Sequence, residues 1–282
     1  MKCAWQAYLK LLPLWIRWEV DNLGKETLQE LRLRIERPPE LVTSNGFIFL
    51  NRSVTEDDLT YVINAASKYS PWAANSISNG FITADGGHRI GICGEMAIVN
   101  RKITTIKNVT SLCVRVARDF PGVASAASAV MGSTLILGPP GSGKTTFLRD
   151  LVREKGKQAK GSFGVVDERG ELFPIVDNRF CFPPGQRTEV LCGCGKPEGM
   201  EMLLRTMNPH AIVVDEITAE ADSIALTNCA WYGVEMLASA HGNDWNDFLN
   251  RPAYRVLAEL NIFRNVIVMN RDKSWYWERI NT

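Results

Sequence analysis

Lys144, Thr145, Asp215, Glu216 and His241 are the residues through which this chain of 282 residues could do chemistry. Lys144 and Thr145 belong to the run Gly138–Thr146 (GPPGSGKTT), which satisfies G-x-x-x-x-G-K-[ST]. Gly138, Gly141 and Gly143 free the backbone to turn tightly, so that successive N–H groups can face a phosphate. Pro139, Pro140, Ser142 and Thr146 complete the loop. An apolar run, Thr134–Leu137, precedes it and a helical pattern, Thr145–Glu154, follows, which adds a positive helix end. That context implies a nucleoside triphosphate, taken as ATP because no guanine-reading N-K-x-D pattern appears where one would be expected. Lys144 is expected at the β- and γ-phosphates, with the Thr145 hydroxyl on Mg²⁺.

Hydrolysis needs more than a phosphate cradle. Residues 211–216 (AIVVDE) place four apolar, β-prone residues ahead of two acids, the Walker B pattern. Asp215 is the expected Mg²⁺ partner and Glu216 the group that orients and activates water. Ser239–Gly242 (SAHG) ends the next β-prone run, so His241 is expected near the γ-phosphate, sensing it or hydrogen-bonding the water or Glu216. Residues 166–171 (VDERGE) end the strand before Walker B. There Glu168 or Glu171 could polarise water or help hold Mg²⁺, or the stretch is a solvated acidic turn with Arg169 as ion partner.

These groups need a scaffold. From Val123 onward β-prone runs (135–137, 163–166, 211–214, 236–240, 266–269) alternate with helical stretches, clearest at 198–207 and 220–232. Such alternation predicts a mostly parallel sheet covered on both faces. Val123–Leu137 reads as a small-residue helix feeding the strand before the phosphate loop. Residues 28–116 read as mixed α and β. Leu31–Ile35 alternates as a half-buried strand, Thr55–Asp58 opens a helix, and Asp85–Gly87 joins two strands of a hairpin. Pro121-Gly122 marks the boundary, giving domains 1–120 and 121–282 and a candidate hinge.

Composition narrows the class. The mix is that of a soluble globular protein, 45% hydrophobic and 22% charged. The net charge of +1 gives no global argument for nucleic acid or membrane. Seven scattered cysteines fit a reduced protein better than a disulfide framework, and Cys192 and Cys194 alone do not make a zinc site. No transmembrane span or signal peptide is expected. Trp5, Tyr8, Leu9, Leu12 and Trp15 or Ile16 fall near helical spacing across Pro13. They are read as packing into their own domain rather than on a membrane surface.

The order of phosphate loop, acidic loop, Walker B and histidine loop resembles the type II/type IV secretion ATPases. Closer still is the stage III sporulation protein AA family. Residues 31–34 (LRLR), 86–91 (GGHRIG), 138–150, 165–169 (VVDER), Arg187-Thr188, 198–200 (EGM), 213–217 (VVDEI) and 240–242 (AHG) carry the likeness over nearly the whole chain. The resemblance implies a RecA-like P-loop core preceded by a smaller mixed α/β N-terminal domain. It implies a homo-hexamer in the cytoplasm at a membrane, with membrane-protein partners of the mother cell–forespore channel and no nucleic acid. It assigns Lys144 and Thr145 to phosphate and Mg²⁺, Glu168 and Glu171 to the acidic box, Glu216 to the catalytic acid and His241 to the histidine box. Two departures stand out. Residues 217–222 (ITAEAD) lack the glycine–arginine pair common after Walker B, and Gly170 stands where serine is usual. Candidates for an arginine finger therefore become Arg89, Arg115, Arg118, Arg187 and Arg205. A nucleic-acid motor is the alternative for such a core, and it would require a basic stripe or stacking aromatics along a channel.

Overall fold

The structure, a computed structural model, describes residues 1–68, 80–99, 102–158 and 161–280. The chain divides into two compact units. One comprises Met1–Asp119 with Val176–Cys181, the other Phe120–Ile175 with Phe182–Thr282.

The first unit is built on an antiparallel sheet. Its strands are β1 (Leu28–Arg34), β2 (Glu40–Thr43), β3 (Gly46–Phe49), β4 (Phe81–Thr83), β5 (Arg89–Val99) and β6 (Lys102–Arg115), in the order β3-β2-β1-β6-β5-β4. Leu31 and Leu33 of β1 are buried while Arg32 and Arg34 lie at the surface edge, the alternation expected of a half-buried strand. The helix Glu56–Ser67 starts where the sequence predicts. Thr55 Oγ1 accepts from Asp58 N at 3.3 Å and Asp58 Oδ2 accepts from Thr55 N at 2.9 Å, a reciprocal cap. At the β4–β5 hairpin Gly86 and Gly87 take φ of +78° and +80°, a conformation that side-chain-bearing residues resist.

The tryptophan-rich start folds into this core. Pro13 ends the helix Trp5–Lys10 and caps Leu14–Leu23, where its fixed φ costs nothing. Tyr8, Leu12, Ile16 and Val20 are fully buried. Trp5 Nε1 donates to Asp21 and Trp15 Nε1 to Asp58, so each indole is tied to its own unit. His88 is the polar pin: its Nδ1 accepts from Ala117 N and its Nε2 faces Ala4 O, both at 3.0 Å, which assigns the neutral Nε2–H tautomer.

The second unit carries a mostly parallel sheet. Its strands are β7 (Thr134–Gly138), β8 (Phe163–Asp167), β11 (Thr188–Cys192), β12 (Ala211–Ile217), β13 (Glu235–His241), β14 (Asn265–Met269) and β15 (Trp275–Arg279). The order is β11-β8-β12-β13-β7-β14-β15, with only β15 antiparallel to its neighbour. The short strands β9 (Ile175–Val176) and β10 (Arg179–Phe180) pair with each other, and Val176 and β10 belong to the first unit. Alternate residues feed two cores. Leu135, Leu137, Ile212, Val214, Val266 and Val268 pack under helices Lys196–Thr206 and Glu220–Trp231. Ile136, Ala211, Val213 and Ile267 pack under the helix Lys144–Gly156, whose Phe147, Leu148, Leu151 and Val152 are buried. Two covered faces explain why these strands read as continuous apolar runs.

One local expectation is corrected. Val123–Leu137 is not a helix into the strand. Only Ser125–Ala129 is helical, as a 3-10 helix, and Gly132 at φ +90° breaks the path before β7. Ala124 and Ala127 are buried, and Ala124 N donates to Asp150 Oδ2 at 2.9 Å, so docking onto the phosphate-loop helix overrides local propensity.

His88 gives a pH test. Burial holds its imidazole below the ordinary histidine pKa. Its neutral form therefore contributes stability that is complete above the unfolded value of about 6.5 and is lost as pH falls through it. Denaturant titrations between about pH 7.5 and 5.5 are expected to show a steeper loss of stability in the native chain than in His88→Gln; equal slopes would contradict the neutral pin.

Candidate functional site

Strand order brings the predicted chemistry together. β13 lies between β7 and β12, with His241 paired to Gly138 on one side and Ala240 to Ile217 on the other. The ends of three parallel strands thus set the phosphate loop, the histidine and the Walker B acids side by side. Between Val214 and Ile217 the β12–β13 register slips, and Glu216 adopts φ +55°. A side-chain-bearing residue in the left-handed region costs of order 1–3 kcal/mol and persists where its surroundings enforce it. Here Glu216 N donates to Ser239 Oγ at 2.9 Å, and Ser239 Oγ donates to Asp215 Oδ1.

The phosphate loop has the expected form. Gly141 and Gly143 take φ of +75° and +98°. A Cβ on Gly138 would stand 2.6 Å from Ser142 Oγ and 2.7 Å from Met269 O, so only glycine fits there. Lys144 Nζ donates to the Gly138 and Pro139 carbonyls at 2.8 and 3.0 Å. Burial lowers its pKa, while Asp215 and Glu216 oppose the shift. Thr145 Oγ1 donates to Asp215 Oδ2 at 2.6 Å. Both oxygens of Asp215 thus face hydroxyls, and the residues that would hold Mg²⁺ already touch.

A continuous polar row leaves the loop. Lys144 Nζ lies 3.3 Å from His241 Nδ1, His241 Nε2 lies 2.7 Å from Glu216 Oε1, and Glu216 Oε2 lies 3.0 Å from Arg169 Nη1. An ammonium can only donate, so Nδ1 is the acceptor and Nε2 carries the proton given to Glu216. His241 therefore orients the Glu216 carboxylate.

The acidic loop is divided in its work. Asp167, buried at the end of β8, accepts from Glu171 N, Leu172 N and Phe173 N at 2.9, 3.0 and 2.8 Å. Burial pushes its carboxyl up and those three N–H groups pull the other way. The anchored turn presents Glu168, whose Oε2 meets Lys196 Nζ at 2.9 Å. Lys196, nearly buried, also reaches Asp222 Oδ2 at 3.3 Å, and that same oxygen accepts from Thr218 N and Ala219 N ahead of the next helix. Glu171 joins the cleft formed by Glu168, Arg169, Lys196, Asp215 and Glu216, while its carbonyl accepts from Arg149.

Lys144, Thr145, Asp215, Glu216 and His241 are therefore joined in one network, whereas Glu168 touches Lys196 rather than the metal-side groups. Sequence reasoning missed Ser239, Asp167, Lys196 and Asp222. Ser239 sits two residues before His241 on a strand, hence on the same face, a usable signal. Among the arginine-finger candidates, Arg89 covers the Phe81 ring, Arg115 pairs with Glu30, Arg118 donates to the Lys25 and Leu28 carbonyls, and Arg205 pairs with Glu201. Cys192, half-buried beside Asp167, has its thiol pushed up to about 12 by burial and the neighbouring carboxyl, which favours the protonated thiol.

Comparison with known proteins finds relatives in sequence and in fold. The stage III sporulation protein AA of Bacillus subtilis (strain 168) is 33% identical over 257 residues, covering 88% of this chain and 84% of that one. The Legionella pneumophila ATPase DotB superposes with a TM-score of 0.58 at 15% identity, over 95% of this chain and 80% of that chain. The pilus retraction motor PilT, solved with bound ADP, gives 0.58 at 15% identity, over 90% of this chain and 76% of that chain. At such identities the likeness to DotB and PilT is one of fold, an antiparallel N-terminal sheet domain ahead of a mostly parallel core. The family model for sporulation stage III protein AA matches residues 6–276, and this chain belongs to that family.

Proposed function

We propose that this chain is a Mg²⁺-dependent ATPase that works as a homo-oligomer, a hexamer by resemblance, and powers a membrane-associated sporulation complex. The observation that carries the reading is the contact of Thr145 with Asp215 beside a Glu216 that His241 orients. Family membership supplies the sporulation setting. DotB is named an ATPase and PilT a motor that binds ADP, and their shared fold supports the same use here.

The residues suit the nucleotide. The buried Ser142 Oγ has no hydrogen-bond partner, and it lies in the loop whose glycines leave room for phosphate oxygens. Thr145 and Asp215 offer hard oxygen donors, and Mg²⁺ characteristically takes one or two such protein groups beside substrate phosphates. When bound, Mg²⁺ neutralises charge on the β- and γ-oxygens. Lys144 exchanges the Gly138 and Pro139 carbonyls for phosphate oxygens, so its charge is used where it is least hydrated. Glu216 accepts a proton from the attacking water as oxygen bonds to the γ-phosphorus and ADP leaves. Ser239 holds both Asp215 and the Glu216 backbone, fixing the distance between metal and base. Glu168 and Glu171 shape the mouth of the site.

Glu216→Gln removes the base and keeps the shape. It is expected to lower turnover by about 10²–10⁴-fold while nucleotide binding persists, read from phosphate release and equilibrium dialysis. Lys144→Ala is expected to abolish binding as well. In native protein, specific activity that rises with concentration indicates a site completed by assembly. Flat activity would contradict the oligomeric part alone, and unchanged turnover in Glu216→Gln would overturn the catalytic assignment.

A further inference from the structure

Arg169 is the one member of the polar row to which the mechanism gives no task. It stands at the tip of the turn after β8, where Gly170 takes φ +63° and Asp167 clamps the backbone from inside. Its backbone is thus anchored while its side chain is 55% exposed. The other cation of the acidic cleft is committed: Lys196, 8% exposed, is held between Glu168 and Asp222. Arg169 has Glu216 as its ion-pair partner.

That pairing has a consequence for the base. One oxygen of Glu216 is taken by His241 and the other by Arg169. A carboxylate with both oxygens so engaged is poorly placed to accept a proton from water. Arg169 shares one cleft with Asp215 and Glu216, so if Glu216 faces the attacking water the guanidinium stands at the same edge of the site. A phosphate with two or more negative oxygens outcompetes a single carboxylate for a guanidinium fork.

We infer that Arg169 is a γ-phosphate ligand supplied by the same chain, held by Glu216 until a triphosphate arrives and releasing Glu216 as it moves. The inference rests on the ATPase reading above. A nucleoside diphosphate lacks the group that draws Arg169 away, so the device distinguishes substrate from product. It also puts a cation at the site from the β8 turn, where the stretch after β12 offers none.

Equilibrium binding of a non-hydrolysable ATP analogue and of ADP, both with Mg²⁺, tests this in the full chain. Arg169→Ala is expected to weaken the triphosphate analogue about ten- to hundredfold and ADP by less than about twofold, with Arg169→Lys recovering part of the loss. Glu216→Gln is expected to tighten the triphosphate by removing its competitor, and the double variant Arg169→Ala/Glu216→Gln to lose that gain. A gain that survives in the double variant would be general electrostatics and would overturn the exchange. Equal losses for both nucleotides, or no loss, would overturn Arg169 as a γ-phosphate ligand while leaving the ATPase reading intact. A native chain that binds neither nucleotide would sink both.

Discussion

The insertion of β13 between β7 and β12 is the constraint from which the site follows. Parallel strands deliver their carboxyl ends to one edge, so whichever strand lies between the phosphate loop and Walker B decides what bridges them. Here the bridge is Ser239 and His241, two residues apart on one face. Ser239 takes the Asp215 side and His241 the Lys144 and Glu216 side. A different strand order would leave the same motifs in sequence and separate them in space.

The site is also where the chain departs from locally favourable structure. Glu216 sits in the left-handed region, Lys144 is largely buried with only carbonyls and an imidazole to receive its protons, and Ser142 Oγ is buried without a partner. Each is unfavourable in isolation, and each is relieved or used if phosphate and metal enter. The surrounding sheet, with both faces filled by Val, Leu and Ile, supplies the rigidity that holds these groups in place.

Much of this was legible in the sequence, and the reasons are physical. The phosphate loop, Walker B and histidine loop are local patterns whose backbone demands select glycine or apolar runs, so their pattern and order singled out Lys144, Thr145, Asp215, Glu216 and His241, which the fold joins in one hydrogen-bonded network. The buried parallel strands declared themselves by continuous apolar stretches. What escaped depended on contacts between distant segments. Lys196 meets Glu168 across 28 positions and Asp222 across 26, and no periodicity marks a lysine destined for burial. In the acidic box the sequence singled out Glu168 and Glu171, while the acid that anchors the turn is Asp167, buried and hydrogen-bonded to backbone. Short edge elements such as β9, β10 and β11 were also invisible, since two to five residues carry too little pattern to compete with turn signals.

The stretch after β12 ties these points together. The resemblance has a glycine–arginine pair there, a departure already legible in the sequence, since residues 217–222 hold no arginine. Asp222 instead turns back on its own helix start and binds Lys196, which reaches Glu168 on the neighbouring turn. That linkage joins the two loops that flank the acidic cleft and holds Lys196 between Glu168 and Asp222. The positive charge expected from the β12 side is thereby absent from the mouth of the site, and the guanidinium of Arg169, on the β8 side, stands against Glu216. Charge at this mouth is therefore set by which strand-end turn carries the cation, with the buried Lys196 acting as the strut that keeps the two turns in register.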